Sequence, residues 1–137
     1  MLPLLLLSGC AVSLVAPYDA VTDAAVQEVA QRTETIIADV TQNGTGYAQH
    51  RENYREVHGA LGAVALRAEL YGDKNKAERE VVSRLQQAMR NLERLHRAAG
   101  EFRPAEAEGV RSLLRSLLHH ELSKKHSSAL VNPGGPS

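Results

Sequence analysis

Four stretches of this chain repeat apolar or small side chains at alternating steps of four and three, and that spacing restricts the fold more than any other feature. In a helix of 3.6 residues per turn such a series lies along one face. The first stretch, about Tyr18 to Thr41, reads Thr22, Val26, Val29, Thr33, Ile36 and Val40, with Ala25 and Ile37 beside it. The second, about Tyr47 to Tyr71, reads Tyr54, Val57, Leu61, Val64, Ala68 and Tyr71. The third, ending near Ala99, places Val82, Leu85, Met89, Leu92 and His96 inward with Val81, Ala88 and Leu95 flanking. The fourth opens at Pro104 and carries Val110, Leu113, Leu114, Leu117, Leu118 and Leu122.

The punctuation agrees with the periodicity. Gln42-Asn43-Gly44-Thr45-Gly46 and Gly72-Asp73-Lys74-Asn75 are turn-forming clusters, Gly100 suits a helix C-terminus, and Pro104 suits a first turn. Asn75 with Glu78 three residues on fits a capping box. Asp19 and Asp23 suit the positive end of the first helix. Gly59 and Gly62, beside Ala60 and Ala63, predict either a close backbone approach or a local kink in the second helix. Short turns between amphipathic helices favour antiparallel neighbours. The fold class is therefore all-α, an antiparallel up-down helical bundle of three to four helices. It occupies residues 18–127, and residues 128–137 form an aperiodic, disordered tail.

Ahead of the bundle stands a different kind of sequence. The apolar run Met1–Leu6 leads into Leu7-Ser8-Gly9-Cys10, whose cysteine is the only one in the chain. This tetrad resembles a bacterial lipobox. The resemblance implies a signal peptide at residues 1–9, a lipidated Cys10, and a spacer to residue 17. An exported chain with one cysteine has no intramolecular disulfide partner, so lipidation gives that residue a purpose. The apolar run is shorter than the ~20 residues that a membrane-spanning helix needs. Ala11 rather than Asp after the cysteine implies sorting to the outer membrane, with the body facing the periplasm.

Charge and motif content exclude several classes. Lysine plus arginine balances aspartate plus glutamate at 16 each, so no whole-chain field draws nucleic acid. The six histidines form no H-x-x-x-H pair, and the single E-x-x-H, Glu93-Arg94-Leu95-His96, has no second copy on another helix as a bundle di-metal site requires, which predicts core or surface histidines, no metal and no cofactor. No serine sits in a Gly-flanked elbow, and Gly44-Thr45-Gly46 lacks the strand and lysine of a phosphate loop. The expectation is that the protein is not an enzyme. Arg90, Arg94 and Arg97 share one face of the third helix, where the acidic first helix is expected to compensate them.

Tyr18-Asp19, Asn53-Tyr54, Arg67-Ala68, Leu95-His96 and Glu121-Leu122-Ser123-Lys124-Lys125 together resemble a family of small uncharacterised bacterial lipoproteins. Two positions depart from that pattern, Asn53 in place of an aromatic residue and Arg103 in place of a Ser/Thr cap. The resemblance brings no activity with it. It singles out Tyr54, Arg67, His96 and Glu121 as candidates for one shared polar contact, and implies a membrane-tethered structural or interaction module with an envelope protein partner. The alternative is a periplasmic bundle with a small-ligand or metal site between the second, third and fourth helices.

Overall fold

The computed structural model describes residues 16–131 and arranges them as α1 (Ala20–Asn43), α2 (Tyr47–Glu69), α3 (Lys76–Ala99) and α4 (Pro104–Val131), with a 3-10 turn at Gly72–Asn75 between α2 and α3. The expected signal peptide, Cys10 and the end of the expected tail fall outside the described residues. Each helix packs on the next in sequence and α1 also closes on α4, so the bundle has four members rather than three. No strand occurs among the described residues.

The stripes of α1 and α3 bury as their spacing predicts. Thr22, Val26, Val29, Thr33, Ile36 and Val40 are buried, as are Val82, Leu85, Met89, Leu92 and His96. Across the centre, the Thr33 hydroxyl donates to Met89 Sδ at 3.9 Å, which satisfies a polar atom in an otherwise apolar layer. Asp19 is the N-cap of α1, its Oδ1 accepting from the Val21 amide at 3.0 Å. Gly44 ends α1 at φ 62, and its amide donates to the Val40 carbonyl at 3.1 Å. Gly100 ends α3 in the same left-handed region, at φ 72.

Four expectations need correction. The stripe of α4 is Ala107, Val110, Leu114, Leu117, Glu121 and Lys124, so Glu121 takes the inward position while Leu122 is 63% exposed. The helix also runs on through Val131, and residues 128–131 are not an aperiodic tail. The Tyr18 amide donates to Ser128 Oγ at 3.3 Å, holding this extension against the segment that enters α1. Third, Asn75 precedes α3 but makes no side-chain cap. Its amide reaches back to the Ala68 carbonyl at 3.5 Å, and Glu78 is buried instead of capping.

Fourth, no backbone approaches the glycines of α2. A Cβ built on Gly59 or Gly62 meets nothing within 4 Å. Both positions lie inside an unbroken helix, so glycine there carries only its entropic cost. Gly59→Ala and Gly62→Ala should each stabilise the protein by about 0.5–1 kcal/mol, read as a raised urea midpoint with an unchanged slope. A loss of stability at either site would mean that the helix bends there.

Candidate functional site

The polar side chains buried in the bundle gather at its two ends. Toward the end that holds the α1–α2 turn and the α3–α4 turn lies an aromatic cluster of Tyr47, His50, Tyr54, His96 and Phe102, with neighbouring ring centroids 5.7–6.2 Å apart. His96 is fully buried. Its Nε2 lies 2.8 Å from the Thr45 carbonyl oxygen and its Nδ1 lies 3.0 Å from the Tyr54 hydroxyl. A carbonyl can only accept, so Nε2 carries the proton and donates, and Nδ1 accepts from Tyr54. Both ring nitrogens are consumed, which leaves none for a metal or a substrate proton. The bond also joins the end of α3 to the turn after α1. Burial pushes the Tyr54 hydroxyl far above the usual tyrosine range, so it stays a donor.

His50 is buried as well, an inward position that the sequence reading of α2 passed over. Its Nδ1 is 3.2 Å from Asn53 Nδ2, and its Nε2 stands 3.3 Å from Asp39 Oδ2 without hydrogen-bond alignment. Burial pulls the His50 pKa down against the pull of Asp39, which favours the neutral ring. Beside this cluster, Glu93 accepts from the Tyr47 hydroxyl at 2.9 Å and pairs with His58 Nε2 at 2.7 Å and Arg97 at 3.0 Å. Burial works to raise the Glu93 carboxyl, but these donors outweigh it and hold it below the usual range.

Arg97 also stacks over the Tyr47 ring, 4.8 Å from its centroid. Arg94 donates to Asn91 at 2.6 Å. Of the three arginines on that face of α3, Arg97 is thus engaged by α2 and by its own helix, and Arg94 by its own helix. The acidic residues of α1 meet other partners: Glu34 binds Arg111 of α4, and Asp19 binds Arg67 of α2.

At the opposite end, α3 and α4 bury three charged side chains together. Lys124 Nζ bonds Glu78 Oε2 and lies 3.2 Å from Glu121 Oε1, and all three residues are at least 95% buried. Glu78 Oε1 and Glu121 Oε2 have no hydrogen-bond partner among the described residues. Burial, with the facing Glu78 carboxylate, pushes the Glu121 carboxyl up to about 8 against the opposing effect of Lys124. At neutral pH the Glu121 carboxyl is then held in its neutral form, which spares the interior one uncompensated charge beside the Glu78–Lys124 pair. Burial lowers the pKa of the nearby His120, with Lys124 and His119 adding to it against the pull of Glu78. Asp19 closes this end: its Oδ2 accepts from Thr22 at 2.8 Å and from Arg67 at 2.7 Å. Burial raises that carboxyl, and these donors together with the Val21 amide more than reverse it.

The Glu121 carboxyl binds its proton more tightly folded than unfolded. Its contribution is fully present below about 4.5 and is lost as pH rises toward about 8. The urea midpoint should therefore fall across that interval, and Glu121→Gln should flatten the fall. An equal slope in the variant would assign the titration to another group.

The four residues singled out by the family resemblance do not form one contact. Tyr54 and His96 bond each other, Arg67 bonds Asp19 and Thr22, and Glu121 sits with Glu78 and Lys124. Glu78 and Lys124 were not candidates, although continuing the four-three register of α4 beyond Leu117 lands on Glu121 and Lys124. Among the described residues no group of three or more His, Cys, Asp or Glu side chains is placed to hold a metal ion. The grooves between α1 and α2 at Glu28, Arg32 and Asn53, and between α1 and α4 at Glu34, Arg111 and Leu118, include no member of either buried cluster, whereas a groove at Leu95 and Pro104 is lined by Phe102. No known protein family, curated protein or solved structure matches the chain.

Proposed function

We propose that this protein is a cell-envelope lipoprotein, a helical structural or interaction module tethered to the outer membrane through lipid on Cys10 and facing the periplasm. The observation that carries the reading is Leu7-Ser8-Gly9-Cys10 at the end of an apolar run, with the chain's single cysteine at the one position where a lipobox requires it. Two features of the body support it. The domain is an all-helical bundle, and its buried histidines and carboxylates are occupied with one another across helices, where they fasten turns and helix ends. Among the described residues no helix is long and apolar enough to cross a membrane, so attachment by this reading falls to the lipid. The family resemblance adds an envelope protein partner, which crosslinking in cells would identify.

The test is the intact mass of the membrane-extracted protein beside its Cys10→Ala variant. Cleavage before Cys10 with a diacylglyceryl and acyl adduct, absent from the variant, is the expected result. An unmodified, uncleaved chain in the soluble fraction would overturn it.

A further inference from the structure

The exposed apolar surface of this bundle is one-sided. The large hydrophobic side chains left exposed among the described residues are Val21, Leu66, Leu70, Leu122, Leu130 and Val131. Val21 is in the first turn of α1, Leu66 and Leu70 are at the end of α2, and the other three are in the last third of α4. In an antiparallel bundle these positions share one end. Singly scattered apolar residues on a surface need no explanation, but confinement to one end calls for one.

Three further observations say what covers this end. First, it is where the chain enters: Ala16 is buried there, and the residues before it are predominantly apolar. A step of six residues separates Cys10 from Ala16, which extended chain spans in about 20 Å at most, so a lipid on Cys10 keeps this end near the bilayer. Second, α4 overhangs the other helices. Glu121 sits level with Glu78 in the first turn of α3 and Ser128 lies beside Tyr18 of the segment entering α1, so the three residues beyond Ser128 project past Tyr18 by about 4.5 Å at 1.5 Å per residue. Leu130 and Val131, 72% and 78% exposed, are its tip. Third, the side chains that suit a water–lipid boundary gather at the same level. Tyr18 and Tyr71 are half-buried, and Lys125 stands 5.8 Å over the Tyr18 ring. Every lysine in the chain (Lys74, Lys76, Lys124 and Lys125) belongs to this end. Amphipathic tyrosines and long-stemmed lysines are the residues that settle at a bilayer interface.

We infer that this end of the bundle is a bilayer-contacting face, seated in the lipid interface by Leu66, Leu70, Leu122, Leu130 and Val131 with the overhang of α4 as its leading edge. The inference rests on the lipoprotein reading for which bilayer is met, and it adds a contact that the lipid alone would not make. Glu69, Asp73 and Glu80 share this end with the lysines, so the attraction is apolar rather than cationic, and binding should depend little on anionic lipid or on salt.

The experiment compares full-length Cys10→Ala protein, which carries no acyl chain, with the same chain bearing Leu66→Ser, Leu70→Ser and Leu122→Ser. A third chain bears Leu130→Ser and Val131→Ser, at a tip whose change leaves the core intact. Partition is measured by flotation with phosphatidylcholine vesicles, then with vesicles containing phosphatidylglycerol. Each chain keeps residues 1–16, so a difference between them belongs to the face. The triple variant should lose about tenfold or more in partition, and the tip variant a smaller but measurable share, with helicity unchanged. Equal partition of all three chains would overturn the proposal. So would partition that requires phosphatidylglycerol, or a dimer of the parent chain that the substitutions dissociate without altering partition. The tether fails on a different measurement: an unmodified Cys10 by mass, with face-dependent partition intact, removes the lipid and leaves the face.

Discussion

Lys124→Met should destabilise the bundle by about 3–5 kcal/mol at neutral pH, one of the two largest effects expected of a single substitution in this protein. Met matches the lysine stem and fills the space between α3 and α4, so the loss is electrostatic rather than steric. What remains is Glu78 as a buried carboxylate without its cation, facing Glu121. Two acids at one dry site favour protonation, and without the cation the Glu121 carboxyl rises further above its unfolded value. The stability it contributes is present at pH 4 and is lost as pH rises, so the penalty of Lys124→Met should shrink in acid. Chemical denaturation at pH 4 and pH 7 reads both parts of the expectation. The compensating variant removes all three charges, Glu78→Leu with Glu121→Leu and Lys124→Met. Because the wild-type cluster costs desolvation on every member, this triple change should be neutral or stabilising. A triple variant as unstable as Lys124→Met alone would show that packing, not charge, maintains this end of the bundle.

The reason this cluster escaped sequence reading is instructive. Helical registers were traced through apolar residues, and the trace along α4 stepped from Leu118 to Leu122 because leucine is the commoner core residue. The geometric register ran one position away, through Leu114, Leu117, Glu121 and Lys124, and periodicity had already specified it. Glu78 was lost for a related reason. Three residues after Asn75 it matched a capping box, a local interaction, whereas its partner is 46 residues away in sequence. From Thr22 to Val40 of α1 and from Val82 to His96 of α3 the stripe is apolar or carries threonine and histidine, and there every residue of the expected spacing is buried. The Tyr54–His96 bond lies between these cases. Both residues sat on inward stripes, so their burial was legible, but the partner of His96 Nε2 is a turn carbonyl at Thr45, whose position no side-chain pattern encodes. Pairing between helices depends on relative height and rotation, and those are set by the turns. Exposure is harder still: in the one-sided set, Leu122 reads as interior and Leu130 and Val131 as tail, while Val21, Leu66 and Leu70 fall on no apolar stripe.

His96→Ala should cost about 3–5 kcal/mol and lower the melting temperature by roughly 10 °C or more. Three losses add up in it. The fully buried ring leaves a void among Tyr47, His50, Tyr54 and Phe102, the Tyr54 hydroxyl loses its acceptor, and the Thr45 carbonyl loses its donor. The last loss reaches furthest. Thr45 lies in the turn where the Gly44 amide returns to Val40 and the Thr45 hydroxyl returns to Asp39 at 3.1 Å, so His96 is what ties that turn to α3. Hydrogen exchange should therefore rise first in the turn at residues 44–46 and the first turn of α2, ahead of the Glu78–Lys124 end. A double-mutant cycle separates the hydrogen bond from the void. Tyr54→Phe alone should cost about 1 kcal/mol by orphaning His96 Nδ1, and in the His96→Ala background it should cost less, because the acceptor is already gone. If the two changes were additive, the 3.0 Å contact would contribute nothing to stability. If exchange rose equally at both ends, the bundle would open as one unit rather than from the turn that His96 holds.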